Sequence, residues 1–339
     1  MVGPYLSTAL GDPAWADAEV SLISGGKSNL TYLVTSGAGQ LVLRRPPLGP
    51  ILPTAHDVVR EHRVIAALAG TGVPVPAALH LCTDESVLGA PFLLMEYVEG
   101  PIARDGLPAG YADAPEHRRE ITHALVDTLV ALHAVEPAAV GLSGFGRPEG
   151  YVARQVSRWV RQWEATPSEP LPELDELARL LAAAVPAGVS GPIVHGDFRL
   201  DNTVLDPARP GRIAAVLDWE MSTLGDPLAD LGLMLVYWAQ ADDGPTRRSA
   251  VLVSATTRLP GFGTRAEVAE RYAAQSGRDL STLPWYVAFG CFKLAVVVAG
   301  VAARAKAGAM VGGGFAGVGD ALGPLVTLGH ETLRAGTLD

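Results

Sequence analysis

Four polar side chains in two short stretches have the types and spacing of a phosphoryl-transfer site. The string Ile-Val-His-Gly-Asp-Phe-Arg-Leu-Asp-Asn, residues 193–202, contains His-x-Asp followed five residues later by Asn, which places His195, Asp197 and Asn202 in one loop. Asp218 closes a second apolar run, Ile213 to Leu217, sixteen residues after Asn202. Moving a phosphoryl group needs such a set: one carboxylate to orient and deprotonate a hydroxyl, and an amide oxygen with a second carboxylate to hold Mg²⁺ on the phosphates. Taken singly, each residue reads as a turn former at a strand-to-loop junction. Four of them in order at this spacing favour chemistry. A metal hydrolase is disfavoured, because no His pair at ligand spacing accompanies them.

The stretch resembles the catalytic loop and metal-binding segment of the kinase-like small-molecule phosphotransferases, the aminoglycoside phosphotransferase and choline kinase family, in which His-Gly-Asp replaces His-Arg-Asp. That resemblance implies Asp197 as catalytic base, Asn202 and Asp218 as Mg²⁺ ligands, and His195 as a scaffold of the loop. It further implies an α+β, bilobal protein-kinase-like fold, with a small antiparallel-sheet N-lobe holding one helix and a larger, mainly helical C-lobe. The expected division is 1–98 for the nucleotide-binding lobe and 99–339 for the catalytic and acceptor-binding lobe.

The elements that must position these groups are legible in outline. Thr31 to Thr35, Gln40 to Arg44 and Phe92 to Tyr97 are short strand-like runs bounded by glycines and prolines. Between them Val58, Glu61, Ile65 and Leu68 recur at helical spacing before Gly70, with Thr54 and Asp57 as an expected capping box. That stripe places Glu61 on the apolar face, where a carboxylate is costly to bury unless a cation meets it. After Glu99-Gly100-Pro101 the periods lengthen: a helix through Ile121, Leu125, Leu129 and Leu132, then Tyr151 to Glu164, then Leu174 to Val185. Asp226 followed by Pro227 reads as the N-cap and first position of a further helix. Ala307 to Gly323 is glycine-rich and reads as a flexible connection rather than a phosphate loop.

The first lobe carries the phosphate grips that the second requires. Ser24-Gly-Gly-Lys-Ser-Asn is a glycine turn before a strand, in which Gly25 and Gly26 allow close backbone approach and Ser28 can donate to a phosphate. By itself it equally fits a plain hairpin turn. In Leu41-Val-Leu-Arg-Arg45 the alternation puts Val42 and Arg44 on the face opposite Leu41 and Leu43. By the resemblance Arg44 stands where the kinase pattern has its phosphate-binding lysine, and Glu61, seventeen residues later, is the helix glutamate that holds it. Arg45 competes for that position. The hinge around Glu96 and Val98 would read the purine edge with backbone groups, and Asp230 would tie down the catalytic-loop backbone. His133 reads as a core-edge residue.

Four strings look most like one branch, the kinase-like domain fused to or encoded near acyl-CoA dehydrogenases: Ser-Gly-Gly-Lys-Ser-Asn-Leu-Thr-Tyr, Val-Leu-Arg-Arg-Pro-Pro47, His-Gly-Asp-Phe-Arg-Leu-Asp-Asn, and Val-Leu-Asp-Trp-Glu-Met-Ser-Thr-Leu-Gly-Asp-Pro-Leu-Ala-Asp. Hydroxyacyl-CoA phosphorylation is known in that branch. The expected acceptor is therefore a small-molecule hydroxyl, on an aminoglycoside-type compound or a hydroxyacyl-CoA, with ATP and Mg²⁺ as cofactors and GTP also compatible. Tyr237, Trp238, Trp285, Tyr286 and Lys293 are the candidates for its pocket, although aromatics at such positions are more often core. The rival reading is a nucleotide-binding sensor or scaffold without turnover, since Arg44 departs from the kinase lysine.

Composition bounds the rest. With 339 residues and 48% hydrophobic content the chain has ample material for a core. A net charge of −10 disfavours a nucleic-acid partner that requires many phosphates to be neutralised. Two cysteines, Cys82 and Cys291, far apart, exclude a disulfide framework and fit a reducing cytoplasm. No signal peptide is read at Met1 to Leu10. Trp285 to Ala303 has the length of a membrane span, but Lys293, Gly290 and Gly300 interrupt it, so a buried helix is expected.

Overall fold

Residues 2–23, 29–48, 57–104, 106–189, 191–250, 255–306 and 317–338 are described by the computed structural model. A short helix, α1 (Val2–Leu10), precedes a five-stranded antiparallel sheet of β1 (Glu19–Leu22), β2 (Leu30–Ser36), β3 (Gly39–Arg45), β4 (Ala78–Cys82) and β5 (Phe92–Glu96), in the order β1-β2-β3-β5-β4. Helix α2 (Val58–Leu68) follows β3, and the single turn α3 (Glu85–Leu88) joins β4 to β5. Thr31 stands opposite Arg44 and Arg44 opposite Leu93, so Arg44 occupies the middle of the sheet.

Strand alternation divides the sheet into two faces. Val34, Leu41, Leu43, Phe92 and Leu94 pack with Leu6 and Trp15 on one side. On the other, Leu93 and Met95 join Val58, Ile65 and Leu68 of α2 and continue into the core of the helical part. Arg44 shares that second face. Helix α2 begins where the apolar stripe predicts, but Asp57 is its N-cap, accepting from the Arg60 amide at 2.9 Å. The expected partner Thr54 lies outside the described residues. Strand β4 was not expected: Ala-Leu-His-Leu-Cys has weak strand character, and pairing with β5 supplies what propensity does not.

The remainder is mainly helical: α4 (Pro115–Ala134), α5 (Tyr151–Glu164), α6 (Pro172–Ala183), α7 (Pro227–Tyr237), α8 (Pro245–Ala250), α9 (Arg265–Ser276), α10 (Leu283–Lys306) and α11 (Leu322–Ala335). Two short ladders interrupt it: β6 (Ile193–Val194) pairs with β9 (Thr223–Leu224), and β7 (Thr203–Leu205) with β8 (Ile213–Val216). These ladders hold the two loops singled out above. The membrane-length segment is α10, two-thirds buried among its neighbours. The glycine-rich expectation at 307–323 is corrected at its end, where Val318–Ala321 forms a 3-10 turn and α11 starts at Leu322.

Candidate active site

The loop that carries His195, Asp197 and Asn202 is fixed by groups that surround its backbone. Asp230, in the first turn of α7, accepts the His195 amide at 2.6 Å and the Gly196 amide at 2.7 Å. Burial works against ionisation of Asp230, yet the hydrogen bond from His133 and the His195 contacts outweigh it and hold the carboxyl below its usual range. His195 uses both ring nitrogens: Nδ1 accepts the Asp197 amide at 3.2 Å, so Nε2 carries the proton given to Leu217 O at 2.9 Å. That second bond joins the Asp197 loop to the residue before Asp218, and the Leu217 amide returns to Asn202 O at 2.8 Å. From the far side, Lys293 of α10 donates to Gly196 O at 2.8 Å. Gly196 has φ of +86°, and a Cβ there would meet Met221 O at 2.7 Å.

Asp197 and Asn202 face each other within this frame. Asn202 Nδ2 donates to Asp197 O at 2.9 Å and to Asp197 Oδ2 at 3.0 Å, so its Oδ1 is the atom left for a metal. With the carboxylate of Asp218 it forms a set of hard oxygen donors, the chemistry Mg²⁺ prefers. Asp218 has φ of +66°, an uncommon backbone conformation for a residue with a Cβ.

Facing these loops, Arg44 meets three carboxylates. Its Nε pairs with Glu61 Oε2 at 2.9 Å, a terminal nitrogen donates to Asp218 Oδ1, and the same nitrogen lies 3.6 Å from Glu220 Oε2. Burial works against the charge on Arg44, but Glu61, Asp218 and Glu220 outweigh it and push its pKa up. Glu61 is 1% exposed; burial lifts its pKa to about 7, with Arg44 pulling down and Asp218 and Glu220 pushing up. Asn29, which follows Gly25, Gly26 and Ser28 in sequence, donates to Glu220 Oε2 at 3.0 Å.

The structure therefore brings together Arg44, Glu61, Asp197, Asn202 and Asp218. Gly25, Gly26 and Ser28 lie outside the described residues. Arg45 points elsewhere, to Pro46 O and the Tyr32 ring. At the hinge, the Glu96 amide already donates to Ala77 O at 2.9 Å. His133 is corrected from core edge to core: its Nδ1 contacts Tyr272 Oη at 2.7 Å and its Nε2 contacts Asp230 Oδ2 at 3.2 Å. Of the expected pocket residues, Trp238, Trp285 and Tyr286 are core, whereas Tyr237 and Lys293 reach the loop.

Three residues were not anticipated. Arg199 donates to Asp197 Oδ2 at 3.1 Å and Asp201 Oδ2 at 2.7 Å, with its guanidinium 4.9 Å from the Tyr237 ring centre. Its place two residues past Asp197 was the available signal. Glu220, two residues past Asp218, and Asp201 were available in the same way. A narrow cavity lined by Arg199, Asp201, Met234, Tyr237, Thr256 and Thr257 opens beside this group.

Comparison with known proteins places this geometry in a family. Residues 19–283 match the model of the phosphotransferase enzyme family, APH. Among curated proteins, acyl-CoA dehydrogenase family member 10 of Mus musculus is 37% identical over 305 residues, covering 90% of this chain and 28% of that protein. Member 11 of Gallus gallus is 37% identical over 284 residues, 83% of this chain and 36% of that protein. The chain thus spans about a third of the length of these relatives. Among solved structures, a Ralstonia eutropha protein provisionally designated an aminoglycoside phosphotransferase superposes with TM-score 0.81 at 30% identity, covering 98% of this chain and 97% of that one. The GDP and kanamycin complex of APH(2″)-IIIa gives TM-score 0.64 at 17% identity over 97% of both chains, which shows the shared fold. The chain belongs to the APH phosphotransferase enzyme family and has its kinase-like α+β fold.

Proposed function

We propose that the chain is an ATP- and Mg²⁺-dependent O-phosphotransferase that moves the γ-phosphoryl group to a hydroxyl of a small molecule. The observation that carries this reading is the convergence of Asp197, Asn202 and Asp218 from two cross-linked loops opposite Arg44. Asp197 orients the acceptor hydroxyl and takes its proton; Asn202 Oδ1 and Asp218 hold Mg²⁺, which when bound offsets phosphate charge. Arg44, kept in place by Glu61, grips phosphate oxygens together with the segment of Gly25, Gly26 and Ser28. Because the Glu96 amide is occupied, the purine edge falls to the Glu96 carbonyl and the Val98 backbone.

The acceptor side favours an anionic, acyl-CoA-type compound over a polyammonium one. A polyammonium ligand needs uncommitted carboxylates, but Asp201 is paired with Arg199, and Asp230 and Asp226 are occupied by buried hydrogen bonds. Lys293 lies beside the loop on Gly196 O and 5.6 Å from the Trp159 ring centre, and makes no ion pair with a described residue. Burial lowers its pKa, with Asp197 and Asp230 opposing. A cation so placed, together with relatives named as acyl-CoA dehydrogenase family members, supports a hydroxyacyl-CoA.

The test is ATP consumption with a hydroxyacyl-CoA, with CoA alone and with kanamycin. The hydroxyacyl-CoA alone should support rapid turnover, and Asp197→Asn should lower it by about a thousand-fold. Nucleotide binding with no product from any acceptor would favour the sensor reading instead.

A further inference from the structure

We propose that Arg60 is a positioning residue for the nucleotide side of the site, latching α2 onto the helical part of the molecule so that Glu61 keeps Arg44 over Asp218. The latch itself is geometric; its consequence for nucleotide rests on the phosphotransferase reading above.

Arg60 directly precedes Glu61, so its side chain leaves the helix about 100° around the axis, on a neighbouring face. There it crosses to two segments of the helical part. Its Nε donates to Ser222 O at 3.1 Å and a terminal nitrogen donates to Phe145 O. The guanidinium also covers the Phe145 ring, with Cζ 3.9 Å from the ring centre. Arg63, one turn later, adds a weaker copy, reaching Gly141 O at 3.3 Å and lying 5.8 Å from the same ring.

The two carbonyls that Arg60 reads belong to one seam. Gly146, next to Phe145, packs so tightly that a Cβ there would lie 2.4 Å from Thr223 Oγ1, next to Ser222. Ser222 is itself fixed, donating from Oγ to Val194 O at 2.8 Å and from its amide to Trp219 O at 3.0 Å. Val194 adjoins His195, and Trp219 adjoins Asp218. One side chain therefore joins the helix of Glu61 to the segment that carries both loops.

Both hydrogen-bonded partners are neutral carbonyls, so the contact acts through shape more than through charge. A planar fork that donates in two directions while stacking on a ring is an arginine property; a lysine ammonium cannot do all three. Without the latch, α2 would be held to the helical part by apolar packing, by Arg63 and by the hydrogen bond that Glu61 takes from the Trp219 backbone, and Glu61 would be held less firmly against Arg44.

The experiment uses the full chain and the variants Arg60→Ala, Arg60→Lys and Phe145→Leu. Amide hydrogen exchange without nucleotide should quicken about ten-fold across Val58–Leu68 in Arg60→Ala, with α10 unchanged. AMP-PNP with Mg²⁺ should bind about ten-fold more weakly, the loss expected for two hydrogen bonds. Arg60→Lys should behave more like the alanine variant than like wild type. Phe145→Leu, which keeps the carbonyl and removes the ring, should fall between and decides the matter should Arg60→Ala not fold. Unchanged exchange in α2 together with AMP-PNP affinity within about two-fold of wild type would overturn the latch. Wild type that fails to bind AMP-PNP would instead count against the phosphotransferase reading, while the exchange data still decide the latch.

Discussion

Around Asp197 the chain is held by hydrogen bonds to its backbone, whereas around Arg44 it is held by charge. In the first region amides, a carbonyl and an imidazole are paired one by one with Asp230, Lys293 and Leu217 O. In the second, one guanidinium faces Glu61, Asp218 and Glu220, an excess of negative charge at the face where Mg²⁺ and phosphate would arrive. The difference separates two tasks. The loop proposed to handle the acceptor hydroxyl is set before any ligand binds, while the cluster proposed to handle the nucleotide is balanced only when cations are supplied.

The sharpest way to break this contrast is to remove the anchor of the first region. Asp230→Ala leaves two buried amides and His133 without their acceptor, at about 3 kcal/mol or more, and should show as a lowered unfolding midpoint in urea with turnover lost. Gly196→Ala should cost less stability but reach the same loop, since its Cβ meets Met221 O and its φ is strained; about a hundred-fold loss of turnover with AMP-PNP affinity nearly intact is expected from kinetics and calorimetry.

The second region should respond to pH instead. Glu61 is raised from the unfolded value of about 4.3 to about 7, so the folded state binds the extra proton between these values. Its contribution to stability is complete below pH 4.3 and is lost as pH rises through 7. Thermal melts of wild type against Glu61→Gln should show wild type losing ground as pH climbs from 5.5 to 8, a slope of about 1 kcal/mol per pH unit or less. A constant difference would remove charge from the account. The smallest effect belongs to Arg45→Ala, within about 0.5 kcal/mol and without change in nucleotide affinity, because that side chain meets only the Pro46 carbonyl and the Tyr32 ring among the described residues.

What the sequence made legible follows the same division. Local spacing singled out Asp197, Asn202 and Asp218, and the helix stripe carried Glu61 inward where a cation had to meet it, because each of those signals lies within a short stretch of chain; that Arg44 rather than Arg45 is that cation came from the family resemblance. Asp226 and Pro227 likewise announced the start of α7, where Asp226 accepts the Leu228 amide at 2.9 Å. Contacts between distant segments were not legible. Lys293 reaching Gly196 O, Arg60 reaching Ser222 O and Tyr272 reaching His133 join residues tens to more than a hundred positions apart, and no periodicity encodes such pairs. Strand β4 was missed for the same reason, since its pairing with β5, not its composition, makes it a strand. The aromatics of α10 could serve either a pocket or the core, with the core the commoner outcome, and Trp285 and Tyr286 are core because the helix is enclosed on most of its surface.

Calorimetric binding of AMP-PNP with and without Mg²⁺, to wild type, Asp197→Ala and Asp218→Ala, tests the central claim most directly. The convergence of these side chains on a nucleotide's terminal phosphate predicts tight, Mg²⁺-dependent binding to wild type, nearly unchanged binding to Asp197→Ala, and loss of the Mg²⁺ dependence in Asp218→Ala. Binding indifferent to Mg²⁺ in wild type, or equal dependence in all three proteins, would contradict it.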